Sequence, residues 1–221
     1  MKTVRFFFRK EGSTVYISHL DTTRFLSRVI KRSGIPVWYT EGFNPHIYLT
    51  FAQPLPLGCG SVCESFDLRI TDDNADPADL ARRLNEASSP DLPIFAAGEA
   101  TFAPADIFYS AYRFTFTTSD PEGLTEQIQA FLARKSVPAE KKTKRGTKAI
   151  DIAILSSDPK ISVEPDGVIL EILLSSGVED TLSPILYRSI LGEACGIQPE
   201  CGRILRTAML NQSKTILTPV L

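Results

Sequence analysis

The sequence predicts an α+β protein made of two tandem ferredoxin-like (split βαβ) units with antiparallel sheets. Three observations point there. Segments of alternating apolar and polar residues are interleaved with segments of helical period. A βαββαβ order runs through residues 1–105 and recurs through 106–221, about 100 residues each time. Three of the expected helices open on an acid or serine followed by proline, at 76–77, 120–121 and 183–184. With 221 residues, 43% of them hydrophobic, the chain can fill two modest cores.

In the first half, "TVRFFFRKEGSTVYI" reads as an extended, bent strand rich in aromatic and β-branched residues, with Glu11-Gly12 as punctuation. "SHLDTTRFLSRVIKRSG" reads as a helix. Ser18 and Asp21 have capping-box spacing, Leu26, Val29 and Ile30 share a face, and Gly34 with Pro36 ends it. "VWYT" and "ESFDLRI" follow as strands. "DPADLARRLNEAS" is a helix with Asp76 as N-cap, and "LPIFAAGEATF" closes the unit.

In the second half, "SAYRFTFTT" alternates Tyr112, Phe114 and Phe116 as a strand. "DPEGLTEQIQAFLA" is a helix burying Leu124, Ile128 and Phe131. "AIDIAILS" alternates Ile150, Ile152 and Ile154. "ISVEPDGVILEILL" is a hairpin around Asp166-Gly167, "SPILYRSILGEAC" a helix capped by Ser183, and "RILRTAML" the last strand.

The net charge of −2 is unevenly spread. Residues 1–60 carry eight Lys/Arg against three acids, and 61–133 carry four against thirteen. Residues 134–148 carry seven against one, and the remainder five against nine. Two basic regions on an acidic body suggest a localised anionic partner. The basic 134–148 loop, with Lys141, Lys142, Lys144 and Arg145, lacks an apolar period. It is expected to be mobile and a candidate anion-binding loop. Cys59, Cys63, Cys195 and Cys201 are spaced too loosely for a zinc knuckle and read as free thiols, so no metal and no cofactor are expected. No apolar run could cross a bilayer, and "MKTVRFFFRK" is too short in its apolar part for a secretory leader. A soluble cytoplasmic protein is expected.

A ferredoxin-like sheet carries helices on one face only. Val4, Phe6 and Phe8 fall on one side of the first strand and Arg5, Phe7 and Arg9 on the other. That second row would suit base stacking and phosphate contact if open, or would pack beneath the second domain if covered. On the first helix, Arg24, Arg28, Lys31 and Arg32 form a cationic stripe offset only by Asp21. The chain has two histidines. His19 stands in the first turn of this helix, where free amides favour a neutral imidazole. His46 ends "EGFNPH", where Gly42 permits a positive φ and Asn44-Pro45 stiffens the loop, with Phe43 between them. Folding of this loop over the helix start would gather Ser18, His19, Asp21, Asn44 and His46 into one pocket beside the stripe of Arg24, Arg28 and Arg32.

These residues carry a resemblance. "YISHLDTTRFLSRVIKRSGIPVWYTEGFNPHIYLTFAQPLPLG" followed by "ESFDLRI" resembles the radical S-adenosylmethionine (radical SAM)-linked protein family of unknown function. Its members occur beside, or fused behind, a cobalamin-binding-type radical SAM protein. The matching residues include Ser18, His19, Leu20, Asp21, Arg24, Arg32, residues 42–46, residues 54–58 and Glu64. "KKTKRGTKAIDI" and "RILRTAML" match more weakly, and Thr22 and Thr23 stand where the family usually has apolar residues. The resemblance implies a radical SAM partner and supplies no catalytic residues.

The expected function is a non-catalytic accessory module that presents an RNA or other anionic substrate to the radical SAM partner. Two alternatives remain. One is a metal-independent endoribonuclease, since tandem ferredoxin-like units also resemble the CRISPR repeat-processing fold class. The other is a pure protein–protein adaptor that docks through the "PLPLG" loop and exposed aromatics.

Overall fold

The computed structural model describes residues 1–143, 146–177, 181–198 and 202–219. Four α-helices occur among the described residues, with mostly antiparallel sheet, in a mixed α+β architecture. The chain forms two compact units. One is Met1–Asp106 together with the residues from Leu217 on, and the other is Ile107–Ile216.

The first unit runs β1 (Lys2–Lys10), a 3-10 helix (Gly12–Tyr16), α1 (His19–Ser33), β2 (Leu49–Phe51), β3 (Cys59–Ile70), α2 (Pro77–Glu86) and β4 (Ile94–Glu99). β1 lies between β4 and β3, antiparallel to both, and β2 pairs antiparallel with β3. The expected long first strand therefore stops at Lys10. The reason is tertiary: Asp91 accepts from the Ser13 amide at 2.8 Å and from its hydroxyl at 2.5 Å, holding a 3-10 turn. Gly12 has φ +50°, and a Cβ there would meet the Asp91 carboxylate at 2.5 Å.

The core forms as the alternation demands. Val4, Phe6 and Phe8 join Phe66, Leu68 and Ile70 on one sheet face, under Leu26, Val29 and Ile30 of α1 and Leu80 and Leu84 of α2. Phe6 and Phe66 stack at 5.4 Å. Each such side chain contributes about 1.5–3 kcal/mol of burial. α1 starts and stops where its caps place it: the Ser18 hydroxyl accepts from the Asp21 amide at 3.1 Å, and Gly34 is left-handed at φ 63°. α2 has Asp76 as N-cap and Pro77 in its first turn.

One expectation for this unit needs correction, and one open alternative is decided. "VWYT" is not a strand but makes isolated bridges, Val37 to Ile70 and Tyr39 to Ile47. The row of Arg5, Phe7 and Arg9 is not an open platform either. Arg5 is 1% exposed, forks onto Asp67 at 2.7 and 2.8 Å and lies 4.0 Å over the Phe102 ring. Phe7 is buried against Phe95, with Arg9 above the same ring. Phe95 of β4 and Phe102 after it supply these contacts.

The second unit runs β5 (Tyr109–Thr117), α3 (Pro121–Leu132), β6 (Pro138–Thr143), β7 (Gly146–Asp151), β8 (Ser156–Glu164), β9 (Gly167–Ser175), α4 (Pro184–Cys195) and β10 (Gly202–Leu210). Its main strands lie in the order β10-β5-β9-β8, each pair antiparallel. Tyr112, Phe114 and Phe116 are buried, and Tyr187 of α4 meets both Phe114 and Phe131 of α3. β8 and β9 form the hairpin expected around Asp166-Gly167, with Glu164 opposite Gly167.

The basic segment departs from its expectation. It is a two-stranded hairpin of β6 and β7, not an unstructured loop. Asp151 holds its base by accepting from the Ser136 hydroxyl at 2.6 Å and the Val137 amide at 2.9 Å. Chain direction then changes at 152–155, so "AIDIAILS" is not one strand and Ile154 is 78% exposed.

Candidate functional site

The first turn of α1 sits over a polar end of the first unit's core. Along the helix-facing side of β1, the apolar series Val4, Phe6, Phe8 gives way to Lys10, which is buried and donates to the Ile17 carbonyl at 2.8 Å. On β3 the matching series Ile70, Leu68, Phe66 gives way to Glu64, also buried and directly opposite Phe8. His19 packs its ring edge-on to Phe51 at 4.7 Å, in the field of both charges. Burial pushes the His19 pKa below the usual imidazole range, with Glu64 opposing and Lys10 adding to the shift. Burial likewise lowers Lys10, against the pull of Glu64 and Cys59. The "PLPLG" loop closes the same corner, since the amide of Gly58 (φ +83°) donates to Val15 of the 3-10 helix at 3.0 Å.

Ser18 and Asp21 are occupied with the helix start. The Ser18 hydroxyl donates to the Asp21 carboxylate at 2.7 Å, and Arg24 reaches the same carboxylate at 3.3 Å. The hydroxyl first, and Arg24 after it, hold the Asp21 carboxyl below its ordinary range. Along the stripe, Arg28 and Lys31 are exposed, with no hydrogen bond or ion pair among the described residues. Arg32 differs, because it donates to the Ala87 carbonyl at the end of α2 at 2.6 Å. It lines a hollow of about 700 Å³ with Arg82 and Arg83. There Arg83 caps α1 through the Ser33 and Gly34 carbonyls, and Arg82 bridges Asp79 and Glu86. Arg83 and Arg82 thus serve a helix end and local ion pairs, while Arg32 stays exposed with one N–H group engaged by a carbonyl.

The "EGFNPH" loop is an exposed arm. The Tyr39–Ile47 bridge forms its stem, and the Thr40 amide donates to the His46 carbonyl at 2.8 Å. The His46 amide donates to the Thr40 hydroxyl oxygen at 3.1 Å, and the imidazole Nδ1 lies 3.1 Å from the Asn44 carbonyl. Gly42 takes φ +116°, as expected, and Phe43 at the tip is fully exposed. Below the stem, Trp38 and Tyr48 meet edge-on at 6.1 Å. The Arg69 guanidinium lies 5.1 Å from the Trp38 ring centre and 4.5 Å from that of Tyr48.

The single pocket expected from the two motif blocks is not formed by described contacts. His19 contacts Phe51, whereas His46 contacts Thr40 and Asn44, and no described hydrogen bond or ring contact joins the two sets. On the hairpin, Lys141 donates to the Thr181 carbonyl at 2.6 Å and Lys142 is exposed, while Lys144 and Arg145 lie outside the described residues. Cys59, Cys63 and Cys195 are buried and form no disulfide among the described residues. Cys59 and Cys63 stand four residues apart on one strand, roughly 13 Å, too far to share an ion. Cys201 lies outside the described residues.

Sequence reasoning overlooked Lys10, Trp38, Tyr48 and Arg69. Signals existed: Trp38 is the chain's one tryptophan, and Lys10 continues the buried parity of β1.

No curated protein matches the chain. It is similar to a chain in the crystal structure of a Cbf5-Nop10-Gar1 complex, at 10% identity and a TM-score of 0.48. That match covers 94% of this chain and 48% of the other, so the chain spans about half the length of that relative. It is also similar to an unknown protein from Galdieria sulphuraria, at 13% identity and a TM-score of 0.27, covering 93% and 98% of the two chains. At these scores neither likeness bears on function. A family model matches residues 3–184, which include the α1 start, the arm and both corner charges, and the chain therefore belongs to the family described as "Uncharacterized protein conserved in bacteria (DUF2344)".

Proposed function

We propose that the chain is a non-catalytic accessory module of the cytoplasm that holds an RNA, or another anionic substrate, for a radical SAM partner enzyme. One observation carries this reading. Arg24, Arg28 and Lys31 project along one exposed side of α1, and only Asp21 offsets them there. Such a row neutralises successive phosphates at little desolvation cost. The "SHLD", "EGFNPH" and "PLPLG" segments support the radical SAM link through their family resemblance. The strand orders β4-β1-β3-β2 and β10-β5-β9-β8 support reading each unit as ferredoxin-like, because they are the same permutation of βαββαβ.

A second reading, the metal-independent endoribonuclease, draws on His19. A half-buried imidazole kept neutral beside Glu64 and Lys10 has the character of a general base.

The test is a fluorescence-anisotropy titration of labelled single-stranded RNA over a range of salt. Binding should weaken linearly on a log–log scale. The triple variant Arg24→Gln/Arg28→Gln/Lys31→Gln should lower the slope by about 2, at about 0.7 per phosphate contact. No binding at low salt, or an unchanged slope, rejects the module. RNA cut by the wild type but not by His19→Gln establishes the nuclease instead.

A further inference from the structure

The arm at residues 37–48 has features that a simple connection does not need. Its tip residue, Phe43, is 106% exposed, although phenylalanine ordinarily gains by burial. Tyr39 and Tyr48 are 41% and 40% exposed. The loop is nevertheless braced by the Thr40–His46 hydrogen bonds and anchored where the Trp38 amide donates to the Arg69 carbonyl at 2.9 Å. Exposed rings on a braced loop lose little entropy when they are covered.

Arg69 is the second, independent feature. Its guanidinium is held against the Trp38 and Tyr48 rings, yet among the described residues it has no hydrogen bond or ion pair. A positioned fork of unfilled N–H donors fits a phosphate. His46 is the third. Its Nδ1 lies 3.0 Å from the Thr40 hydroxyl and 3.1 Å from the Asn44 carbonyl, which leaves Nε2 as the ring's other hydrogen-bonding atom. A ribose 2′-hydroxyl both donates and accepts, so it can pair with Nε2 in either tautomer, and a deoxyribose cannot.

We propose that this arm and Arg69 form a binding site for a short run of unpaired ribonucleotides. Phe43 stacks on a base, Arg69 holds a phosphate, and His46 Nε2 hydrogen-bonds a 2′-hydroxyl. α1 ends at Ser33, four residues before the arm in sequence, and its exposed Arg28 and Lys31 favour a polyanion over an apolar peptide. The inference rests on the RNA reading above and names the part of the RNA that is read.

Trp38, the chain's one tryptophan, reports directly on the site. Titration with a short oligouridylate should change its emission. The same oligomer as a duplex, or inorganic phosphate, should not, and the deoxy oligomer should bind more weakly. Phe43→Ala, a fully exposed position, should weaken binding by roughly five- to hundredfold, the effect of losing one stacked base. Arg69→Gln should weaken it and flatten its salt dependence. If labelled RNA binds with wild-type affinity to Phe43→Ala, the arm proposal is overturned while the accessory-module reading stands. If no RNA binds the wild type, both are overturned. A Trp38 response to the purified radical SAM partner, with none to RNA, overturns the proposal in favour of protein docking.

Discussion

Replacing Arg5 by Met tests how the second face of the first sheet is held. Arg5 makes two charge-assisted hydrogen bonds to Asp67, and the Asp67 side chain is itself only 18% exposed. Arg5→Met leaves that carboxylate mostly buried without its partner, which costs about 3–5 kcal/mol. Two features reduce the loss. Met keeps much of the stem's packing on Phe102, and the Arg5 Nη1 atom is already buried without an acceptor, so its removal recovers about 1–3 kcal/mol. The net expectation is about 2 kcal/mol, or a fall in Tm of roughly 4–8 °C for a chain of this size. Urea unfolding followed by Trp38 emission reports on the first unit specifically, because Trp38 belongs to it. The double variant Arg5→Met/Asp67→Leu should regain most of the loss, since no charge is then left unpaired. A cost under about 1 kcal/mol for the single variant, or a double variant no better than the single, would refute the reasoning.

Ser18→Ala should cost about 1 kcal/mol by removing the acceptor for the Asp21 amide, with Ser18→Thr near wild type in the same urea assay. Because burial lowers the folded-state pKa of His19 below 6.5, the unfolded chain binds more protons between the two values; the stability from neutral His19 is full above about pH 6.5 and declines as pH falls below it. His19→Gln should shrink that slope in pH-dependent melting, whereas a steeper slope would reverse the assigned shift. In hydrogen exchange, the paired amides of β6 and β7 should be protected, and Asp151→Ala should speed exchange first at the Val137 end; rapid exchange along the whole hairpin in the wild type would contradict the pairing.

The helices were legible because their signals are local. Ser18, Asp76 and Asp120 satisfy amides two or three residues away, and Gly34 supplies a left-handed residue where α1 must end. The core side of β1 was legible for the same reason, since alternation places Val4, Phe6 and Phe8 together whatever the partner. The basic hairpin was not. Its strands are exposed and carry Lys141 opposite Lys148, so composition resembles a solvated loop, and Asp151 supplies the ordering contacts from outside the lysine run.

The candidate site divides in the same way. Gly42, Asn44 and Pro45 marked a stiff loop, and the cationic spacing on α1 was visible by period alone. Only the tertiary structure set Arg32, which donates to a carbonyl 55 residues away, apart from Arg28 and Lys31, which make no such bond among the described residues. Only it sent the two histidines to different neighbours, buried Arg5 against Asp67 and Phe102, and laid Arg69 on Trp38 and Tyr48. The sequence by itself determined where helices begin and end and which faces are apolar, because those follow from backbone geometry within a few residues. Which charges stay free and which rings stay bare depends on partners 31 to 62 residues distant, and these are set by packing.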